Sequence, residues 1–137
     1  MKKKVLFICT HNSARSQMAE ALLNNLFGDQ YEAYSAGIEP TTVNPYVIQV
    51  MGEVDIDLSK NRSKSIKKFH GTHFEYVVTV CDHAKETCPF FPGEIILHKN
   101  FDDPSEFTGT KENILNRVRQ VREEIKGWIE KTFNESS

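Results

Sequence analysis

Four short apolar runs alternate along the chain with longer segments in which apolar residues recur every three or four positions. The runs, rich in branched and aromatic residues, occupy positions 3–8, 31–36, 75–80 and 94–98. The periodic segments occupy positions 14–27, 45–54 and 111–133. Continuous apolar runs are typical of buried parallel strands, and the longer periodicity is typical of helices. The pattern therefore predicts an α/β fold with a four-stranded parallel sheet and helices on both faces.

Residue types at the ends of the periodic segments predict where the helices start and stop. Gly28 closes the first helix, Asn44 caps the second ahead of Pro45, and Thr110 caps the third, as is typical of these residues. The second helix is expected to bury Val47, Val50, Met51 and Val54. The third helix is expected to bury Ile114, Val118, Val121, Ile125 and Trp128. The polar sequence of residues 56–70 predicts a loop with a short helical turn at 65–69.

Length, charge and composition narrow the class of protein. The 137 residues carry a formal net charge of −2, so we expect one domain, residues 1–137, without a basic surface for nucleic acid. The basic residues of the polar loop are interpreted as a solvated face: Lys60, Arg62, Lys64, Lys67 and Lys68. No apolar run is long enough for a signal peptide or a membrane span. We therefore expect a cytoplasmic protein with no membrane contact, in which the cysteines rest reduced and any disulfide is transient or catalytic.

The stretch from Cys9 to Ser16 joins the first predicted strand to the first predicted helix. Backbone N–H groups of such a loop can form a nest, and the helix start adds unpaired donors, so the stretch predicts an oxyanion site. Arg15 supplies parallel donors for the oxyanion, and Cys9 is expected to attack it as a thiolate. The alternative, a buried cysteine near a surface arginine, is disfavoured by the flanking strand and helix.

The remaining residues of this stretch are predicted to shape and support the oxyanion loop. They are Thr10, His11, Asn12, Ser13, Ala14 and Ser16. Within this set, Ser16 is expected to donate a hydrogen bond to the Cys9 thiolate. Asn12 is expected to hold the loop backbone through its side chain.

Two further cysteines, Cys81 and Cys88, follow the third predicted strand. Because the carboxyl ends of parallel strands meet at one edge of a sheet, Cys81 is expected on the same edge as Cys9. Three interpretations of the Cys81 and Cys88 pair stay open: a redox pair, a metal site and two unreactive thiols. The metal site would add His83 and His98 as ligands. The redox pair is favoured, so no metal is predicted.

Asp103 has two interpretations that the spacing favours equally. As a carboxylic acid beside the oxyanion it would protonate a leaving oxygen, and Pro104 would favour an extended backbone that aims it inward. As a turn residue next to a proline it would be solvated.

These motifs together resemble those of the thioredoxin-coupled arsenate reductases, which share the low-molecular-weight tyrosine phosphatase fold. The residues that carry the resemblance are Cys9–Glu20, Tyr34–Ile38, Cys81, Cys88–Pro89 and Phe101–Pro104. The resemblance runs from about residue 3 to residue 130. It implies arsenate as the substrate, phosphate or sulfate as mimics, thioredoxin as the reductant and no tightly bound cofactor.

The resemblance also implies a mechanism. Cys9 would attack arsenate held by Arg15 and the loop N–H groups, while Asp103 assists the departure of water or hydroxide. Cys81 would then attack Cys9 and release arsenite. Cys88 would pass the oxidation into a Cys81–Cys88 disulfide, which thioredoxin reduces.

Some members of the family bind potassium through Asn, Glu, Ser and Asp side chains. Asn12, Glu20 and Ser35 match three of these positions, whereas the fourth is Lys64. The ammonium group of Lys64 is therefore expected to stand in the place of a bound cation.

Two rival functions stay open. A low-molecular-weight protein tyrosine phosphatase would use Cys9, Arg15 and Asp103 but would have no use for Cys81. Such phosphatases carry an aromatic residue where this chain has Ser105, which favours a small inorganic substrate with weak phosphatase activity as a side reaction. The second rival is a non-catalytic protein that binds arsenite or zinc.

Overall fold

The computed structural model describes residues 2–81 and 90–134. Within these residues the fold has four strands, three α-helices and two short 3-10 helices. The strands are β1 (Lys3–Cys9), β2 (Tyr31–Gly37), β3 (Tyr76–Thr79) and β4 (Ile95–His98). The α-helices are α1 (Arg15–Phe27), α2 (Pro45–Gly52) and α3 (Lys111–Phe133). The 3-10 helices span Ile66–Phe69 and Pro104–Glu106.

The strands form one parallel sheet in the order β2-β1-β3-β4, which confirms the predicted architecture. The central strand β1 is buried continuously from Val5 to Cys9, as expected of a parallel strand covered on both faces. Ile8 pairs with Thr79, and Val80 N–H donates to Ile8 O at 2.9 Å. Cys9 and Cys81 therefore follow neighbouring strands at the same edge of the sheet, as the sequence predicted.

Both faces of the sheet are covered, but by different kinds of structure. Val5 packs into an apolar cluster with residues from α1, α2 and α3. Its neighbour Leu6 points to the opposite face and packs with Phe74 and with Phe69 of the first 3-10 helix. Among the described residues, the α-helices thus cover one face, and the 3-10 helix with its adjoining loop covers the other.

The predicted helix caps are confirmed. The Asn44 side chain accepts a hydrogen bond from Tyr46 N–H at 2.9 Å at the start of α2. The Thr110 side chain accepts from Asn113 N–H at 3.1 Å at the start of α3. The predicted helical turn is the first 3-10 helix, which Ser65 caps in the same way.

The prediction that Val54 belongs to the buried stripe of α2 is wrong. The helix ends at Gly52, and Val54 is 39% exposed, whereas Val47 and Val50 are fully buried. The chain turns immediately after the helix, and Asp55 adopts a left-handed backbone conformation with φ of 63°. The spacing of apolar residues does not reveal this turn, because the position of the turn depends on where the helix ends.

The predicted core face of α3 includes Trp128, which packs against the core but is only partly buried. The buried stripe continues instead through Ile129 and Phe133, both fully buried. An α-helix has 3.6 residues per turn, so a stripe extended by alternating steps of four and three drifts away from the core. Trp128 lies at the border of the stripe, and its ring packs edge-on against Phe101 and Phe133.

Candidate active site

The backbone of the loop between β1 and α1 is oriented by the segment that follows β2. Three N–H groups of that segment donate to loop carbonyls: Glu39 to Thr10 (2.9 Å), Thr41 to His11 (3.3 Å) and Asn44 to Ser13 (2.8 Å). In a trans peptide the C=O of one residue and the N–H of the next point in opposite directions, and the described residues contain no cis peptide. The N–H groups of the residues after these carbonyls therefore point away from residues 39–44, an arrangement compatible with the predicted nest.

Gly37, the last residue of β2, lies directly against this loop. A Cβ atom at this position would lie 2.7 Å from Thr10 O and 2.8 Å from Asn12 N, so the close approach requires glycine. Gly37 N–H also donates to Lys64 O at 2.9 Å. The end of β2 thus brings the loop and the polar segment around Lys64 together.

The start of α1 leaves its first donors without a capping side chain. The N-cap residue is Ala14, which makes no side-chain cap hydrogen bond, and the first turn of α1 contains no acidic residue. The partial positive charge of the helix start is therefore not offset from within its own first turn. His11 Nδ1 lies 3.0 Å from Glu39 O, so its ring is directed to the exposed side of the loop.

Cys9 is a free thiol at the end of β1 and is 2% exposed. Its Sγ atom lies 2.9 Å from Ser16 Oγ, so the predicted contact between these side chains is confirmed. Asn12 Nδ2 donates to the same hydroxyl oxygen at 2.7 Å. Asn12, Ser16 and Cys9 therefore form a continuous buried chain of polar contacts.

Residues outside the loop also form hydrogen bonds with Asn12, which is itself part of the loop. Its backbone is left-handed, with φ of 52°, and its Oδ1 accepts from Lys64 N–H at 2.9 Å. Its backbone oxygen accepts from Ser63 Oγ at 2.9 Å and from Gln17 Nε2 at 3.2 Å. The Asn12 side chain thus contacts Ser16, Gln17 and the backbone of Lys64, and its loop-holding role stays a prediction. Sequence reasoning did not identify Gln17 or Ser63.

Arg15 and Asp103 meet at the site although they lie far apart in the sequence. Arg15 Nη2 lies 3.5 Å from Asp103 Oδ2, and Arg15 Nη1 donates to Phe101 O at 3.4 Å. Asp103 Oδ1 accepts from Ser105 N–H at 3.0 Å and so caps the second 3-10 helix. The carboxylate therefore caps a turn, as one interpretation of the sequence expected, and lies beside the arginine, while its role as an acid stays a prediction.

The basic segment is only partly the solvated face that the sequence predicted. Lys64 is half-buried, and its Nζ lies 3.9 Å from Glu20 Oε1, which also accepts from Ser35 Oγ at 3.2 Å. Burial raises the pKa of Glu20, and the Lys64 ammonium partly offsets this rise. Burial lowers the pKa of Lys64, and Glu20 opposes this effect. An ammonium group thus stands beside the residues that the resemblance associated with a cation.

Cys81 is fully buried and is disulfide-bonded, in contrast to the free thiol of Cys9. The predicted residues Cys88 and His83 lie outside the described part of the chain. His98, the remaining ligand of the alternative metal site, has its Nδ1 at 2.8 Å from Thr79 Oγ1. A disulfide at Cys81 withholds its sulfur from the thiolate ligation that this alternative requires.

Within residues 2–81 and 90–134, one set of side chains has metal-ligand spacing: His73, Glu75 and Glu94. His73 Nε2 lies 2.8 Å from Glu94 Oε2, and Glu75 accepts from Lys4 N–H at 2.5 Å. These residues precede β3 and β4 and so lie at the sheet edge opposite to Cys9.

No helix in the described part of the chain is both long and apolar enough to cross a membrane.

Comparison with known proteins gives a single consistent family. A sequence profile described as "Low molecular weight phosphotyrosine protein phosphatase" matches residues 4–135. A protein of Halalkalibacterium halodurans named arsenate reductase is 43% identical over 136 residues, which is 98% of this chain and 97% of that protein.

Solved structures give the same result. A structure described as an arsenate reductase in the phosphate-binding state superposes with a TM-score of 0.82 at 31% identity, covering 98% of this chain and 99% of that one. A thioredoxin-dependent arsenate reductase of Corynebacterium glutamicum superposes with a TM-score of 0.72 at 29% identity, covering 97% of this chain and 61% of that one.

Proposed function

Because the chain belongs to the low molecular weight phosphotyrosine protein phosphatase family and its relatives include arsenate reductases, we propose that it reduces arsenate to arsenite. The observation that carries the proposal is the free thiol of Cys9, held 2.9 Å from Ser16 Oγ at the foot of the loop. A hydroxyl at this distance stabilises a thiolate, and a thiolate is the nucleophile that arsenate chemistry needs.

Arsenate is bound by Arg15 together with the backbone N–H groups of residues 10–16. The guanidinium offers parallel donors to two oxygens of a tetrahedral oxyanion, and its burial at 2% exposure strengthens these hydrogen bonds. Thr10, His11, Ser13 and Ala14 contribute mainly through their backbone. Phosphate and sulfate, which share shape and charge with arsenate, are expected to bind as mimics.

In the first chemical step the Cys9 thiolate attacks arsenic and an oxygen departs as water or hydroxide. Asp103 supplies the proton for this departure. Its Oδ2 lies 3.5 Å from Arg15 Nη2, so an oxyanion that contacts the arginine also comes within reach of the carboxyl group.

In the second step a Cys81 thiolate attacks the Cys9 sulfur, and the electron pair of the sulfur–arsenic bond leaves with arsenic. Arsenic is reduced from As(V) to As(III), and two thiols are oxidised to one disulfide. Cys88 then attacks Cys81 and frees Cys9. The observed pairing state supports this order, because Cys81 is disulfide-bonded while Cys9 is free, as it is after the oxidation has left Cys9.

Thioredoxin is the proposed reductant for the final disulfide, in keeping with the thioredoxin-dependent relative. The relay regenerates the enzyme by thiol–disulfide exchange and needs no tightly bound cofactor or metal. We place the protein in the cytoplasm, where thioredoxin keeps thiols reduced, and treat residues 1–137 as one domain.

A low-molecular-weight protein tyrosine phosphatase is the second candidate, because the Cys9, Arg15 and Asp103 arrangement suits phosphoryl transfer as well. The residue after the Asp-Pro pair is Ser105, which is exposed and offers no ring to flank a phosphotyrosine. We therefore assign phosphatase activity to a weak side reaction.

The test is arsenate-dependent oxidation of thioredoxin, followed through its reductase, in wild type and in Cys9→Ser, Cys81→Ser and Cys88→Ser. We expect all three variants to lose multiple turnover, and Cys81→Ser and Cys88→Ser to keep hydrolysis of an aryl phosphate. Loss of turnover in Cys9→Ser alone would exclude the relay through Cys81 and Cys88. Absence of arsenate-dependent turnover in wild type, with hydrolysis of the aryl phosphate retained, would leave the phosphatase.

A further inference from the structure

Gln17 is a fully buried polar residue in the first turn of α1. Its Nε2 atom contacts three oxygens: Asn12 Oδ1 at 3.0 Å, Asn12 O at 3.2 Å and Arg62 O at 2.9 Å. Its Oε1 atom accepts from Asn61 Nδ2 at 3.2 Å. One amide group therefore joins the helix, the oxyanion loop and residues 61–62, and it contacts both oxygens of Asn12.

The direction of these hydrogen bonds is fixed by backbone groups. Arg62 O can only accept, so the nitrogen of the Gln17 amide must face it. Lys64 N–H can only donate, so the oxygen of the Asn12 amide must face it. Gln17 Nε2 donates to that same oxygen, which reinforces the orientation of the Asn12 amide.

The orientation of the Asn12 amide decides where the Ser16 proton goes. With its oxygen directed to Lys64 and Gln17, the Asn12 amide presents Nδ2 to Ser16 Oγ at 2.7 Å. The hydroxyl oxygen of Ser16 accepts this bond, so its own proton is available for Cys9 Sγ at 2.9 Å. A reversed Asn12 amide would present an acceptor to Ser16 and draw the proton away from Cys9.

We propose that Gln17 is a positioning residue for the Cys9 nucleophile, a role that extends the proposed function. It holds the Asn12 backbone in its left-handed conformation and fixes the Asn12 amide so that Ser16 donates to the Cys9 thiolate. Ser63 supports the Asn12 backbone oxygen at 2.9 Å, but Gln17 also contacts the side-chain oxygen.

The inference is tested with Gln17→Met, which has a similar length and volume but no hydrogen-bonding amide. Cys9 alkylation by iodoacetamide is measured against pH in the reduced full-length protein, with the Cys9 peptide quantified by mass spectrometry. Hydrogen bonds to charged groups are strong, so we expect the midpoint of the alkylation profile to rise by about one pH unit. At neutral pH, kcat for arsenate should fall about tenfold with little change in KM, because the proposed arsenate donors are retained.

The matched control is Asn24→Leu, which removes another amide of α1 that bridges to a neighbouring element. Asn24 Oδ1 accepts from Ala33 N–H at 2.9 Å, and its Nδ2 donates to Ala33 O at 3.1 Å. This bridge lies near the other end of the helix, so the control should lose stability without any shift of the alkylation midpoint.

If Gln17→Met does not fold, Asn61→Ala decides the question, because it removes the hydrogen bond from Asn61 Nδ2 to Gln17 Oε1 and leaves the Gln17 side chain in place. We expect a smaller midpoint shift in the same direction. An unchanged midpoint in the folded variants, or an equal shift in Asn24→Leu, would overturn the inference. A shifted midpoint in a protein that does not reduce arsenate would instead overturn the proposed function and leave the role of Gln17 standing.

Discussion

Arg15 Nη2 lies 3.5 Å from Asp103 Oδ2, and the two side chains are only 3% and 17% exposed. Arg15 belongs to the start of α1, and Asp103 belongs to the loop between β4 and α3. The contact places a group able to give a proton beside a group able to hold an oxyanion. It also keeps the carboxylate close to a positive charge before any substrate binds.

Replacing Asp103 by Asn removes the transferable proton but retains the oxygen that caps the second 3-10 helix through Ser105 N–H. We expect kcat for arsenate reduction to fall about 100-fold, the lower end of the usual contribution of a general acid. Initial rates of arsenate-dependent thioredoxin oxidation measure this effect. Asp102→Asn, at an exposed neighbouring position, is the control and should keep its rate. Equal rates in wild type and Asp103→Asn would exclude the acid role.

Replacing Gly37 by Ala should damage oxyanion binding. The new Cβ would lie 2.7 Å from Thr10 O, and since that atom belongs to the backbone, the loop itself must shift. We expect the inhibition constant for phosphate to rise about tenfold, since small displacements of a binding group are costly. Gly127→Ala is the control, because nothing lies within 4 Å of a Cβ there. Unchanged phosphate inhibition in Gly37→Ala would show that the loop tolerates the shift.

The pH dependence of stability should carry a recognisable contribution from Glu20. Burial raises its pKa in the folded protein above the ordinary value of 4.5, so over this interval the folded state keeps a proton that the unfolded chain has lost. The contribution of Glu20 to the free energy of unfolding therefore falls as pH rises from about 4.5 through the raised pKa, and then levels off. The advantage of wild type over Glu20→Gln should shrink across this interval in urea denaturation.

Glu53 is expected to change the free energy of unfolding with pH in the opposite direction to Glu20. Hydrogen bonds from Arg119 hold the pKa of Glu53 below its ordinary value, so its stabilising contribution is present above about pH 4.5 and is lost as pH falls further. The advantage of wild type over Glu53→Gln should therefore disappear in acid. Slopes of the same sign in Glu20→Gln and Glu53→Gln would contradict one of the two assignments, and the sign itself shows which one.

The buried stripe of α3 can be tested by truncation. Ile129 is fully buried, so Ile129→Ala should lower the free energy of unfolding by about 2–5 kcal/mol. Val54 is 39% exposed, and Val54→Ala should change it by no more than about 0.5 kcal/mol. Urea denaturation of both variants measures the difference. Comparable losses would restore the original assignment of Val54 to the core.

Local rules were sufficient for the strands, the caps and the position of the loop that follows Cys9. Asn44 and Thr110 were identified correctly because a cap depends on residues within one turn of the helix. Val54 was misplaced, and Trp128 is only partly buried, because burial depends on where a helix ends and how its stripe drifts against the core. Cys9 was located by the strand before it and the helix after it.

Long-range contacts account for what the sequence did not reveal at the site. Lys64 contacts Asn12 from 52 positions further along the chain. Gln17 lies only five positions from Asn12, but it is also bound to Arg62 O, and local spacing does not predict that contact. Gln17 also resembles an ordinary polar helix residue in the sequence. The one available signal was its position directly after Arg15 and Ser16.

The central position of β1 in the sheet has a mechanical consequence for Cys9. Hydrogen-bonded strands flank β1 on both sides, and β1 is buried as far as Cys9. Moving the Cys9 sulfur outward would therefore require breaking hydrogen bonds in the middle of the sheet. Opening a central strand costs a large part of the total stability. The Cys9 sulfur is therefore a fixed point of the fold, and any group that reacts with it has to approach it where it lies.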